Sequence, residues 1–204
     1  MDLVLVRHAE PVRLTVADTG GAPADPSLTD RGRDQALRLA DWLAHESFDV
    51  VLTSSKARAI ETAEPVAARL GAVPTIDDGW LEYDAASHDY IPMEEMRATK
   101  DPRLEAMYAG DWTSFGNADP ARFRLQVAEA LDRTIAGHGG QRVLVVCHGG
   151  VINVALALVA GLDRHLWFEP DYTSLSRVMA SRRGVRSVVS INETAHLYAR
   201  RDHR

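Results

Sequence analysis

The sequence predicts an α/β fold built on a parallel sheet, because short apolar runs alternate with longer amphipathic segments. Residues 3–6 (LVLV) form an apolar run bounded by polar residues, and residues 142–147 (RVLVVC) form a second that follows Arg142. Residues 49–53 (DVVLT) and 73–76 (VPTI) are two further short, mainly apolar segments. Such runs are typical of strands buried on both faces of a parallel sheet. The segments between them repeat apolar residues at the spacing of a helix, so strands and helices alternate along the chain.

The predicted helices carry recognisable end signals. Thr29 is a favourable N-cap for the first helix, and Asp119 precedes the third in the same way. Gly71 and Gly161 stand where the second and fourth helices would end, as is common after a last helical turn. On these grounds we expect helices at residues 30–46, 56–70, 120–136 and 151–160.

Two regions depart from this alternation. Residues 85–120 are irregular and rich in Pro, Gly and aromatic residues, with short helical pieces near 93–99 and 103–108. Because long excursions in compact domains are often lids, we expect this segment to be a cap over the functional site. Residues 175–180 and 185–192 alternate around Arg182, Arg183 and Gly184, which predicts an edge hairpin. The whole chain, residues 1–204, is expected to form one domain.

Composition narrows the function classes. Of the 204 residues 46% are hydrophobic and 25% charged, and the net charge of −6 argues against a general nucleic-acid binder. Cys147 is the single cysteine, so an internal disulfide is excluded and a reducing compartment is expected. No apolar stretch is long enough to cross a membrane. No charged segment precedes the first apolar run, so we expect no signal peptide and a cytoplasmic protein.

Three cationic or imidazole groups follow strand patterns directly. Arg7 and His8 end the first strand, and His148 follows residues 142–147. Ligands of open α/β sheets bind at the carboxyl ends of strands, so His8 and His148 would face one site if their strands are parallel neighbours. Arg58 falls in the first turn of the second helix, where the helix N-terminus already favours anions. Together these residues predict an anion site.

Two carboxylates are candidates for a proton donor at this site. Glu82 lies in a loop after the third predicted strand, where it could project into the site as a proton donor. Asp84, two residues later, is the alternative donor.

Five motifs occur in order along the chain: Arg7–Glu10 (RHAE), 28–32 (LTDRG), 54–63 (SSKARAIETA), 81–82 (LE) and 147–150 (CHGG). With these motifs the sequence resembles the histidine phosphatase superfamily, also called the phosphoglycerate mutase-like superfamily. The resemblance implies a three-layer α/β/α sandwich around a mostly parallel sheet. It also implies that His8 is a nucleophile that becomes phosphorylated, that Arg7, Arg58 and His148 bind the phosphoryl group, and that Glu82 is the general acid.

The expected activity is hydrolysis of a small phosphorylated metabolite. Two guanidiniums match the oxygens of a phosphoryl group and an imidazole can attack phosphorus, so no metal ion or other cofactor is expected. Ala9, Pro11 and Leu14 replace the Gly, Thr and Asn that the family often carries, which argues against a phosphoglycerate mutase. A phosphotransferase of that type and a non-catalytic phospholigand-binding protein are the alternatives. Neither a nucleic acid nor a membrane is expected as a partner, and the oligomeric state stays open, with a homodimer among the alternatives.

Overall fold

One six-stranded sheet forms the centre of the molecule. The structure is a computed structural model that describes residues 1–181 and 183–198. Its strands are β1 (Asp2–Arg7), β2 (Val50–Thr53), β3 (Thr75–Ile76), β4 (Arg142–Cys147), β5 (Leu175–Ala180) and β6 (Arg186–Glu193). Their order is β3-β2-β4-β1-β5-β6; the first four are parallel to one another, whereas β5 runs antiparallel to β1 and β6.

Helices cover both faces of this sheet. They are α1 (Val16–Thr19), α2 (Asp30–Leu43), α3 (Ala57–Leu70), α4 (Met93–Ala98), α5 (Pro102–Tyr108), α6 (Pro120–Gly137), α7 (Gly149–Ala160) and α8 (Ala195–Tyr198), with a 3-10 turn at Asp78–Trp80. In the part of the chain that the structure describes, none of them combines the length and the apolar composition needed to span a membrane.

The alternation of β1 explains the three layers. Successive side chains of a strand point to opposite faces, so Val4 and Val6 pack with α2 and α3, whereas Leu3 and Leu5 pack with α6 and α7. All four are buried. The prediction of an α/β/α sandwich with a mostly parallel sheet is therefore confirmed.

The predicted helix ends agree with the structure to within a few residues. The Thr29 hydroxyl accepts a hydrogen bond from the Gly32 amide at 2.9 Å, and the Asp119 carboxylate caps α6 in the same way. Gly71 and Gly161 end α3 and α7 in the left-handed conformation that glycine adopts without strain. The fourth predicted helix, which is α7, starts at Gly149 rather than at residue 151, so only His148 separates it from β4.

The third strand is shorter than predicted. Residues 73–76 were expected to pair, but β3 comprises only Thr75 and Ile76, and Val73 is 86% exposed. β3 is an edge strand with β2 as its one neighbour, and Pro74 has no amide hydrogen to donate to a ladder. The predicted hairpin forms as β5 and β6, although Arg182 of its turn lies outside the described residues.

The irregular segment 85–120 shares its core with the rest of the domain. It contains α4 and α5, and its buried side chains include Met96, Met107, Trp112 and Phe115. These belong to the same apolar cluster as the inner faces of α6 and α7. The segment therefore packs on one layer of the sandwich instead of forming a core of its own.

Gly32 fits against the first motif. A methyl group on Gly32 would overlap the backbone carbonyl of Glu10, which lies two residues after His8. We predict that Gly32→Ala lowers the free energy of unfolding by about 1–3 kcal/mol, the usual cost of overpacking. Urea denaturation measures this effect. Gly137→Ala is the matched control, because its added methyl group meets no atom within 4 Å; an equal loss in both variants would contradict the prediction.

Candidate active site

Pairing of β1 with β4 brings the two histidines together. Arg7 pairs with Cys147 in the parallel ladder, and the His8 amide donates to the Cys147 carbonyl at 2.9 Å. As a result, His8 and His148 follow adjacent strand ends, and their ring centroids lie 5.2 Å apart. Both side chains are buried.

A cavity of about 300 Å³ opens at this edge of the sheet. Arg7, His8, Arg58 and Glu82 line it, while His148 is fully buried beside His8. The structure thus brings all five residues singled out in the sequence into one region. Asp84 also lines the cavity.

His8 presents one ring nitrogen to the cavity region. Its Nδ1 lies 2.8 Å from the Ala9 carbonyl, which can only accept, so Nδ1 carries the hydrogen and Nε2 keeps its lone pair. Burial, followed by the charges of Arg58 and Arg7, lowers the pKa of His8 well below its ordinary value. The imidazole is therefore neutral at physiological pH, as a nucleophile must be.

His148 is neutral for the same reasons. Burial and the charge of Arg58 hold its pKa well below the ordinary value. Its Nε2 lies 2.8 Å from the Ser54 hydroxyl, which follows β2, while its Nδ1 is buried without a hydrogen-bond partner.

The guanidinium of Arg7 is fixed on one side. Its Nη1 donates to the Pro170 carbonyl at 2.6 Å and to the Glu94 carboxylate at 3.1 Å, and its Cζ lies 3.9 Å from the centre of the Tyr172 ring. Tyr172 also donates its hydroxyl hydrogen to Glu94. The Nε of Arg7 is buried and has no partner.

Arg58, like Arg7, is held by a carboxylate and an aromatic ring. Its Nη2 donates to the Asp84 carboxylate at 3.1 Å, and its Cζ lies 4.7 Å from the centre of the Tyr90 ring. Only 1% of Arg58 is exposed, and its Nε too lacks a partner. Buried donors are normally paired, so the unpaired nitrogens of Arg7, Arg58 and His148 suit an anion with several acceptor oxygens.

Glu82 differs from Asp84 in its surroundings. Its carboxylate accepts from the Gly150 amide at 2.8 Å and from the Tyr83 amide at 3.2 Å. Burial, reinforced by the charge of Asp84, raises the pKa of Glu82 to about 7. A methyl group on Gly150 would overlap the Glu82 carboxylate, so this approach requires glycine. Glu82 can therefore hold and release a proton near neutral pH, whereas Asp84 is engaged by Arg58.

Sequence reasoning missed several residues that shape the site. Glu94, Tyr90 and Tyr172 contact the two arginines, but their sequence surroundings carry no signal for this. Asn153 could have been noticed, because it is the one polar side chain in the apolar helix α7. The Cys147 thiol is buried, and burial raises its pKa, which agrees with its interpretation as a strand residue without chemistry.

Metal ligands do not cluster near the cavity. Across residues 1–181 and 183–198, no group of three or more His, Cys, Asp or Glu side chains is arranged to hold a metal ion. Arg7 and Arg58 supply the positive charges that act on His8.

A family model and curated relatives both match nearly the whole chain. The family model described as "Histidine phosphatase superfamily (branch 1)" matches residues 3–194. Phosphoserine phosphatase 1 of Hydrogenobacter thermophilus is 30% identical over 200 residues, covering 96% of this chain and 93% of that protein. A bifunctional protein of Mycobacterium tuberculosis is also 30% identical over 200 residues, but the chain spans only 54% of its length.

A solved structure supports the fold. A mutant phosphoserine phosphatase from Entamoeba histolytica, in complex with phosphoserine, superposes with a TM-score of 0.74 at 20% identity. The match covers 96% of this chain and 98% of that one. At this identity the likeness concerns the architecture alone.

The pKa of Glu82 leads to a stability prediction. Between the unfolded value near 4.3 and the folded value of about 7, the folded protein binds the extra proton, so stability falls as pH rises through this window. Because Gln does not titrate, Glu82→Gln does not lose this part of its free energy of unfolding as the pH rises. Its free energy of unfolding relative to wild type should therefore increase from pH 5 to pH 8, by an amount on the order of 3 kcal/mol. Urea denaturation at each pH measures it.

The matched control is Glu129→Gln on the exposed face of α6. The difference in free energy of unfolding between Glu129→Gln and wild type should stay constant over the same pH range. A flat profile for Glu82→Gln as well would mean that Glu82 is ionised at neutral pH.

Proposed function

The chain belongs to the histidine phosphatase superfamily (branch 1), and from this premise we propose that it hydrolyses phosphomonoesters of small metabolites through a phosphohistidine intermediate. One observation carries the proposal: a neutral His8, with the lone pair of Nε2 free, lies at a cavity lined by two buried guanidiniums. The phosphatases among its relatives support hydrolysis as the proposed reaction.

The first step transfers the phosphoryl group to the protein. The Nε2 lone pair of His8 forms a bond to phosphorus while the bond from phosphorus to the alcohol oxygen breaks. Arg7, Arg58 and His148 donate hydrogen bonds to the non-bridging oxygens, and the charges of the two guanidiniums stabilise the transferring group. Glu82 gives its proton to the leaving oxygen, which departs as the neutral alcohol.

The second step regenerates the free imidazole. The Glu82 carboxylate, now ionised, takes a proton from a water molecule as the water oxygen attacks phosphorus. The bond between phosphorus and Nε2 breaks, and its electron pair returns to His8 as inorganic phosphate is released. Because the residue that acts as acid first acts as base afterwards, a pKa near 7 suits both roles of Glu82.

The intermediate provides the first test. With a substrate labelled in its phosphoryl group and a strong chelator present, wild-type protein quenched in alkaline detergent should carry a base-stable label that acid removes. His8→Ala should stay folded, carry no label and lose nearly all activity. His45→Ala removes an exposed imidazole and serves as the control with normal labelling. Label on His8→Ala, or activity that depends on an added metal, would refute the mechanism.

The destination of the label separates the two enzyme classes. A hydrolase passes the phosphoryl group to water, even when glycerate or a sugar is added as an acceptor. Appearance of the label in the added acceptor would identify a phosphotransferase instead.

The role of Glu82 depends on the leaving group. Glu82→Gln should slow single-turnover phosphorylation of His8 by an alkyl phosphate about a hundred- to ten-thousand-fold, the usual range for acid catalysis. The loss should be distinctly smaller with a nitrophenyl phosphate, whose leaving oxygen needs no proton. Asp84→Asn should affect both substrates alike, because Asp84 holds Arg58. If only Asp84→Asn shows the dependence on leaving group, Asp84 is the acid.

A further inference from the structure

Besides the groups proposed to bind the phosphoryl group, part of the cavity lining is apolar. We call this region the apolar slot and define it by two groups of lining residues. One group is Leu166, Trp167 and Phe168, and the other is Ile91, Met93 and Met96. The inference below rests on the proposed function, because the slot receives the alcohol part of a substrate whose phosphoryl group is bound at His8.

The first wall is held rigidly by one buried side chain. The Asn153 Oδ1 accepts hydrogen bonds from the amides of Trp167 and Phe168, at 2.9 and 3.1 Å. Its Nδ2 donates to the Phe168 carbonyl at 3.0 Å and to the Gly149 carbonyl at 2.9 Å. Gly149 begins α7, directly after His148, so this wall is tied to the helix that starts at the site.

The second wall can adapt. Met93 and Met96 lie on α4, and their unbranched thioethers adjust to an apolar surface and make favourable contacts with aromatic rings. A rigid wall together with an adjustable one suits an apolar group whose outline is not fixed in every detail. The cavity volume of about 300 Å³ is also within the range of sites that enclose small organic ligands.

The carboxylates that line the cavity around the slot, Asp89, Glu94 and Glu169, already have cationic partners. Arg103 donates to Asp101 and Asp89, and Glu169 pairs with Arg97. Glu94 is engaged by Arg7 and Tyr172.

Arg164 differs from these residues. Among the described residues that line the cavity, it is the one cation without a carboxylate partner, and it is exposed. A carboxylate or ammonium group on the alcohol would therefore lose hydration in the slot without gaining a buried counter-charge.

We propose that the natural substrates are phosphomonoesters of uncharged, apolar alcohols, preferably with an aromatic ring, which the apolar slot binds. The slot would discriminate against esters of small charged acids. This preference is a property of the alcohol site, so it can be measured apart from the chemistry at His8.

Binding of phosphonates tests the proposal without turnover. Calorimetry would compare 2-phenylethylphosphonate with ethylphosphonate and with 3-phosphonopropionate, which carries a carboxylate. Burial of the phenyl group should tighten binding about ten- to a hundred-fold over ethylphosphonate. The carboxylate should bind no more tightly than ethylphosphonate. Equal affinities, or tightest binding of 3-phosphonopropionate, would overturn the proposal.

Variants locate the effect. Phe168→Ala should reduce the preference for the phenyl ligand several-fold, whereas Leu125→Ala, an exposed apolar truncation on α6, should leave it unchanged. Arg164→Ala should also retain the preference for the phenyl ligand. A preference that Phe168→Ala does not alter, or binding that Arg164→Ala abolishes, would contradict the slot as the binding site.

Hydrolysis of the matching esters separates this proposal from the function on which it rests. 2-Phenylethyl phosphate and ethyl phosphate both release alkyl alcohols, so a higher kcat/KM for the former reports the slot rather than the leaving group. Turnover without any preference would overturn the slot and support the hydrolase. A binding preference without turnover of any ester would support the slot and refute the hydrolase.

Discussion

The structure depends on keeping two guanidinium groups out of water at one edge of the sheet. Arg7 and Arg58 are both buried, and burying a cation is costly unless it is paired. Glu94 and Asp84 each engage one terminal nitrogen, and an aromatic ring covers each guanidinium. This pairing offsets the cost of burial but leaves both Nε groups unpaired, so the site retains binding capacity for an anion.

The acid–base properties of the site follow from the same burial. Low polarity and the two positive charges keep His8 neutral, since a third cation in this place would be unfavourable. Burial acts in the opposite direction on Glu82 and favours its protonated form, with Asp84 adding to the effect. Near pH 7 a neutral His8 can therefore coexist with a Glu82 that holds a proton, as the proposed roles of nucleophile and acid require.

The layer formed by α6 and α7 connects Glu82 to the apolar part of the cavity lining. Gly150, in the first turn of α7, donates to Glu82, and Asn153 one turn later holds the loop that carries Trp167 and Phe168. One helix thus positions both Glu82 and the residues that we propose to contact the alcohol. Because segment 85–120 packs on the same layer, its residues Ile91, Met93 and Met96 line the same cavity without a separate core.

The sequence by itself determined the layered fold and the position of Arg7, His8, Arg58 and His148, because strand ends and helix starts have local signals. It did not determine which carboxylate would be buried, or that Asn153 would organise a loop. Glu94 and Pro170 contact Arg7 from 87 and 163 residues away along the chain, and no local pattern encodes such contacts. Burial, counter-charges and cavity shape arise only when distant segments pack together, so tertiary structure alone decided them.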